Sequence, residues 1–250
     1  MSLRHTGTQT RPAPHERAVA LARPTLWRWS ALILFLLAGL VLMRDAHATV
    51  QPAFDLRAGE ALTYDVSFGV LDVGTARMEV IGQETVRGRP AWHTRLAIDG
   101  GVLGYRVRDV LESWIDVETG NSLRFRQDST EGSRRRLREY EIFPERGVYR
   151  LGNAVERPTV AAPLDQASFL YFLRRQPLGV GDADSYGRYF MPDRNPVAVS
   201  VVRGEAVTVP AGRFDALVLK PVIRSEGVFS EHGRAELWLS NDERRWMVQL

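Results

Sequence analysis

The chain contains no cysteine, and Lys220 is its only lysine. Without thiols there are no disulfides, no thiolate metal site and no lipid-modified N-terminal cysteine. Histidine is nearly as scarce: beyond residue 48 only His93 and His232 remain. There is no G-x-S-x-G elbow, internal repeat, low-complexity tract or coiled-coil heptad. No apolar run reaches the ~20 residues that a hydrocarbon core requires. These absences set aside disulfide scaffolds, zinc–thiolate folds, solenoids and the common α/β-hydrolase signature.

The longest apolar run is Ala31–Met43, thirteen small or apolar residues. Arg4, Arg11, Arg17, Arg23 and Arg28 precede it, and Arg44, Asp45 and the tripeptide Ala46-His47-Ala48 follow. A basic leader, an apolar segment and a small-x-small site together read as a secretory signal. This predicts an apolar signal helix within residues 1–48 and a single β-rich domain over 49–250 in the periplasm. Cleavage after Ala48 would free that domain. Retention, with Trp27 and Trp29 at the interface, would leave it anchored to the inner membrane and facing the periplasm. Residues 1–48 hold six arginines against Glu16 and Asp45, a balance of +4; the whole chain is +3, so the remainder carries −1. A near-neutral exported domain predicts no nucleic-acid partner.

Alternation dominates the rest. Leu62, Tyr64, Val66, Phe68 and Val70 share one face of an extended segment, with Thr63, Asp65 and Ser67 on the other. Ala76, Met78 and Val80 repeat this, as do Trp92, Thr94, Leu96 and Ile98 against His93, Arg95 and Asp99. Further strands are predicted at Val107–Val117, Ser122–Gln127, Leu137–Phe143, Ala198–Arg203, Arg213–Ile223, Arg234–Ser240 and Arg245–Leu250. Short connections favour an antiparallel meander. One segment differs. Phe169, Leu170, Phe172 and Leu173 make a helical apolar stripe within Gln166–Gln176, with Asp165 as N-cap, Arg174 and Arg175 at the C-terminal end and Pro177 beyond. Asn153–Pro163 is the one linker-like stretch. The expected fold is mainly β: a curved antiparallel sheet or incomplete barrel packed on one short helix.

Several short motifs carry a family resemblance: Gly59-Glu60-x-Leu62-x-Tyr64, Gly74-x-Ala76 and Asp165-x-x-Ser168-x-Leu170-Tyr171-x-Leu173-Arg174. They continue with Gly204-Glu205, Val209-Pro210-Ala211-Gly212-x-Phe214-Asp215-Ala216 and Leu237-Trp238-Leu239-Ser240-x-Asp242-x-Arg244. In that order and spacing the chain resembles the domain of unknown function 3108 family of exported bacterial proteins. The resemblance implies a β-rich envelope protein with no assigned catalytic residues. It also implies a further β segment past Trp246–Leu250, and an unpaired sheet edge where that segment is missing.

Candidate sites are few. Tyr64, Phe68, Trp92, Leu96, Trp114, Phe125, Phe169, Phe172 and Trp238 form either a plain core or the lining of a groove that shelters an acyl chain. Arg134, Arg136 and Arg138 alternate on one face of a predicted strand, a spacing that suits an anionic headgroup; Glu131, Glu139 and Glu141 offer pairing instead. His93 and His232 do not make a metal site by spacing, and His93 is expected at a solvent-facing or half-exposed position. Ser168 beside Asp165 reads as helix capping, and a hydrolase would need one of the two histidines to reach it. Gly181–Gly187 resembles the start of a calcium loop, but Tyr186 falls at the third ligand, Asp193 stands in place of the closing glutamate and no helices are predicted beside it, so it reads as a solvated acidic loop. No cofactor is implied. The expected function is non-enzymatic binding of an apolar or amphipathic envelope component, a lipid or lipoprotein segment. An envelope protein–protein interaction module is the alternative, and a serine hydrolase on Ser168 the third reading.

Overall fold

The alternating segments fold as a continuous meander in a computed structural model that describes residues 56–68, 71–102, 105–222 and 236–250. The signal segment, its Ala48 site and His232 lie outside the described residues. Strands β1 (Ala61–Phe68), β2 (Leu71–Val86), β3 (Arg89–Val102) and β4 (Tyr105–Asp116) run in sequence order. They continue into β5 (Ser122–Glu131), β6 (Arg134–Phe143), β7 (Val148–Leu151) and β8 (Arg157–Pro158), which completes an eight-stranded antiparallel sheet. A second sheet holds β9 (Ala183–Tyr186), β10 (Val197–Val209), β11 (Gly212–Val222), β12 (Leu237–Ser240) and β13 (Met247–Gln249), in the order β13-β12-β11-β10-β9.

Two unclosed sheets replace the single curved sheet or incomplete barrel that the pattern predicted. The change of sheet follows Asn153–Pro163, so the linker-like composition marks a switch between layers. Its physical reason is burial: an eight-stranded sheet with one apolar face needs a partner layer, and one short helix covers too little. Core residues accordingly come from both sheets. Met78, Val80, Leu96, Leu111, Phe125 and Tyr140 of the first join Val197, Val199, Val201, Leu217, Leu219, Leu237 and Leu239 of the second. Phe190, fully buried between the layers, meets the rings of Tyr140 and Tyr149 edge-on at centroid distances of 5.1 Å.

Helix α1 (Gln166–Leu173) is shorter than the predicted Gln166–Gln176. The last turn tightens, with Arg175 and Gln176 N–H groups donating to Phe172 and Leu173 carbonyls. Its start matches the sequence. Asp165 accepts from the N–H groups of Ala167 and Ser168, while the Ser168 hydroxyl accepts from the Asp165 N–H. The stripe Phe169, Phe172 and Leu173 is buried in the shared core, and the helix rests on β3 and β4. Arg174, just past its end, pairs with Glu60 at 2.6 Å and donates to the Arg244 carbonyl at 3.3 Å. The Tyr64 hydroxyl donates to the Met247 carbonyl at 2.9 Å. Chain segments before β1, after α1 and around β13 are thereby tied at one side of the core.

Candidate functional site

Strand register sorts the residues of the first sheet into rows that cross it on its core-facing side. The first of four successive rows is Val80–Thr94–Ser113–Phe125–Tyr140, and all of it is buried. The next is Leu62–Met78–Leu96–Leu111–Gln127–Arg138, buried in the middle and exposed at Arg138. Then comes Tyr64–Ala76–Ile98–Asp109–Ser129–Arg136, mostly half-buried. The last row is Val66–Gly74–Gly100–Val107–Glu131–Arg134, in which no residue is buried. Rows two residues apart are about 7 Å from one another, so burial fades over roughly 20 Å of a single face. The apolar floor continues past the core without a covering layer among the described residues.

The outer row has an unusual floor. A Cβ on Gly74 would stand 2.2 Å from the Asp99 carbonyl oxygen, and one on Gly100 would stand 2.7 Å from the Val73 carbonyl oxygen. Close backbone approach therefore demands glycine at both positions. As a consequence, two paired positions between Val66 and Val107 present bare backbone.

At the β6 end of these rows stand Arg134, Arg136 and Arg138, on one face as the alternation predicts and on the same face as Phe125 and Tyr140. Among the described residues Arg138 makes no ion pair and donates to the Gln127 side-chain oxygen at 3.4 Å. Arg134 and Arg136 make no ion pair among the described residues. Glu131 stands directly across from Arg134, and Asp109, two strands from Arg136, accepts from the Ser129 hydroxyl at 2.6 Å and from Gln127 at 3.4 Å. Charge on the opposite face behaves differently. There Glu79, Arg95, Glu112, Arg126 and Glu139 form a ladder, with contacts of 3.6 Å for Arg95–Glu79, 2.6 Å for Arg126–Glu112 and 3.2 Å for Arg126–Glu139. Arg135, also on that face, makes a forked pair with Asp128. Hydrogen bonding to Arg135 holds the Asp128 carboxyl below the usual range.

The proposed lining divides between faces. Phe169 and Phe172 are core residues, and Tyr64 and Trp92 pack against the core. Phe68 ends β1, and its side chain lies outside the described part. Trp114 is on the far face of the first sheet, in a small second core with Val86, Ala91 and Leu123. Its indole N–H donates to Glu84 at 2.8 Å. Trp238 sits away from the core too, because Leu237 and Leu239 on either side of it point inward; it donates to Glu205 at 2.7 Å. Neither tryptophan joins a groove. Beneath α1 the space is occupied: Phe169, Phe172 and Tyr186 meet ring to ring, at 5.1 Å between Phe172 and Tyr186.

His93 is buried rather than half-exposed, stacked on Trp114 at 4.3 Å with Nδ1 2.8 Å from Glu84. Pairing across from Trp114 puts it on the far face, whereas its neighbour Thr94 faces the core. The Ser168 hydroxyl, buried on the core side, meets Ser122 at 2.8 Å and the Asp165 backbone, so His93 does not reach it. Asp165 is itself fully buried and accepts from Ser113 Oγ at 2.5 Å. Burial pushes its carboxyl above the ordinary range, and hydrogen bonds from Ser113, Ser168 and Ala167 draw it partly back. These four polar residues, Ser113, Ser122, Asp165 and Ser168, pin α1 to β4 and β5. The acidic loop Gly181–Gly187 contains β9; Asp182 there accepts from the Gly179 N–H. Among the described residues no cluster of three or more His, Asp or Glu could hold a metal, and no helix is long and apolar enough to cross a membrane. An open cleft of about 390 Å³ lies beside the Glu60–Arg174 pair, lined by Gly59, Glu60, Arg77, Glu79, Val80 and Ile81.

Sequence reasoning missed Val107, Asp109, Gln127 and Ser129 as members of the open face. The signal existed in the parity of 134, 136, 138, 140 and 142, which puts the arginines on Tyr140's side of the strand.

Together these features define, among the described residues, a two-sheet antiparallel β protein with one α-helix and one sheet face left partly open. The chain belongs to the family described as protein of unknown function, DUF3108, whose model matches residues 63–250. No curated protein and no solved structure matches it.

Proposed function

We propose that this protein acts in the periplasm, without catalysis, as a binder of an acyl-chain component of the cell envelope. The acyl chain lies on the open part of the first sheet's core-facing side, over Val66, Ile98, Val107 and the Gly74–Gly100 pair. The observation that carries the reading is the graded burial of one sheet face, whose β1–β4 part is apolar side chain and glycine backbone in all four rows but for Thr94, Ser113 and Asp109. Val66, Ile98 and Val107 are half-buried, and an apolar surface that extends a core is the kind of surface proteins use for ligands or partners. The filled space under α1 supports a ligand on the face rather than inside the core.

The test is lipid extraction from the purified protein, followed by titration with a fluorescent long-chain alcohol, which has no charge. The wild-type chain is expected to carry lipid and to bind the alcohol. Val66→Asp with Val107→Asp should weaken binding at least tenfold, because both sites are half-exposed and a carboxylate there is desolvated only when the ligand sits on it. The urea midpoint should stay put. A wild-type protein with neither extracted lipid nor alcohol binding overturns the proposal, as does unchanged affinity in the double variant. So does a lipid-free chain that captures an envelope protein only while Arg134, Arg136 and Arg138 are intact.

A further inference from the structure

We infer that Arg134, Arg136 and Arg138 are the headgroup subsite of that same face, and that the amphiphile bound there carries a phosphate. The inference rests on the acyl-binding reading and adds the ligand's polar end and its orientation. Register joins the subsite to the floor through a polar strip: the arginines end rows that run over Val66, Gly74, Gly100 and Val107 to Glu131, over Tyr64, Ala76 and Ile98 to Asp109 and Ser129, and over Leu62, Met78, Leu96 and Leu111 to Gln127. With strands about 4.8 Å apart, β1 lies roughly 24 Å from β6, enough for a chain to extend across the floor with its head among the arginines.

Charge pairing argues that these guanidiniums are held for something outside the fold. On the far face, carboxylates lie at contact distance from Arg95, Arg126 and Arg135, although Arg108 there makes no ion pair among the described residues. On the core-facing side Glu131 is directly across from Arg134, yet no ion pair forms, and Arg136 faces Ser129. Arg138 faces Gln127, a neutral partner. The chain beyond residue 48 carries −1, so acids are not in short supply. Guanidiniums two residues apart on a strand emerge about 7 Å from one another. A phosphate, with its several acceptor oxygens, can take a fork from two of them at once, which a single carboxylate does less well. A diffuse basic surface for nucleic acid is disfavoured by the largely paired far face and by the net −1 of the chain beyond residue 48.

The experiment compares three probes on the full chain in 150 mM salt: a lysophosphatidic acid, a lysophosphatidylcholine of the same chain length, and inorganic phosphate. The acid is expected to bind at least tenfold tighter than the choline lipid, and the margin should shrink in 1 M salt as exposed charges are screened. Arg134→Ser, Arg136→Ser and Arg138→Ser together should erase the margin while leaving choline-lipid affinity within about twofold. Inorganic phosphate should not saturate over the range in which the acid does. The inference is overturned by equal affinities of the two lipids in the wild type, by a margin that survives the triple substitution, or by inorganic phosphate binding as tightly as the acid. In the first two cases the neutral alcohol still binds if the acyl-binding reading holds, so the two failures are told apart. Circular dichroism and the urea midpoint check that the triple variant folds; Arg136→Ser alone, expected to lose part of the margin, serves if it does not.

Discussion

Asp165→Ala is expected to destabilise the protein by about 4 kcal/mol. Loss of an N-cap alone costs ~1 kcal/mol. Here the same carboxylate also accepts from the Ser113 hydroxyl and two backbone N–H groups, all buried with it. Each buried donor left without an acceptor costs roughly 1–3 kcal/mol, and because they share one site the terms do not add fully. Asp165→Asn keeps one carbonyl oxygen for the N–H groups and offers Ser113 an amide, so its cost should be nearer 1 kcal/mol. Urea unfolding of the two variants checks the order. Equal losses in both would show that the charge matters and the hydrogen bonds do not.

The same residue has a pH signature. Burial raises the Asp165 carboxyl above its unfolded value, so the folded state holds its proton to a higher pH than the unfolded state does. The unfolded chain binds fewer protons in that window, and stability from this group falls as pH rises through it. The stability of the wild type relative to Asp165→Asn should therefore be greatest at acid pH and decline upward from about pH 4, the ordinary carboxylate range. A difference that grows with pH would mean that the hydrogen bonds outweigh burial.

Phe190→Ala should cost about 4 kcal/mol, in the range for emptying a buried aromatic site. The ring touches Phe125, Tyr140, Tyr149 and Tyr189, which brings β5, β6 and β7 against the segment before β10. For a domain of this size the melting temperature should drop by roughly 8–16 °C. Phe190→Leu should lose less than half as much. Affinity for the long-chain alcohol, measured below the transition, should stay within about twofold of wild type. A large change in affinity would mean that the ligand occupies the interior and not the open face.

How much of this was legible in the sequence follows from what period and punctuation encode. Alternation located β1 to β6 of the first sheet, since each has one face on a core; the short β7 was not expected, and the exposed pair β8 lies inside the stretch read as a linker. It also put Arg134, Arg136 and Arg138 together. Asp165 and Ser168 announced the capping box by their spacing. Alternation could not say that the chain starts a second sheet after Pro163, because that depends on which apolar faces meet. Nor could it separate Trp114 and Trp238 from the core aromatics. Both tryptophans are covered from the outer side by their own hydrogen-bonded and charged neighbours, Glu84 and Arg124 over one, Glu205 and Arg203 over the other. A large aromatic in a strand reads as core whichever face it lies on. His93 was misplaced for the same reason: its face is polar in pattern, yet stacking on Trp114 buries it. The open face needed register, because only cross-strand pairing reveals that Val107, Gly100 and Arg134 belong to one row.

The central claim is that the ligand lies on the outer rows of the first sheet with its head at β6. Photo-crosslinking tests it most directly. A phosphate-headed acyl probe with a diazirine in its chain is bound to the full protein, irradiated, digested and mapped by mass spectrometry. The account predicts adducts on peptides containing Val66, Ile98 and Val107, suppressed by unlabelled lysophosphatidic acid. Adducts confined to Phe169–Leu173 or to the far face at Trp114, or no competed adduct at all, would contradict it.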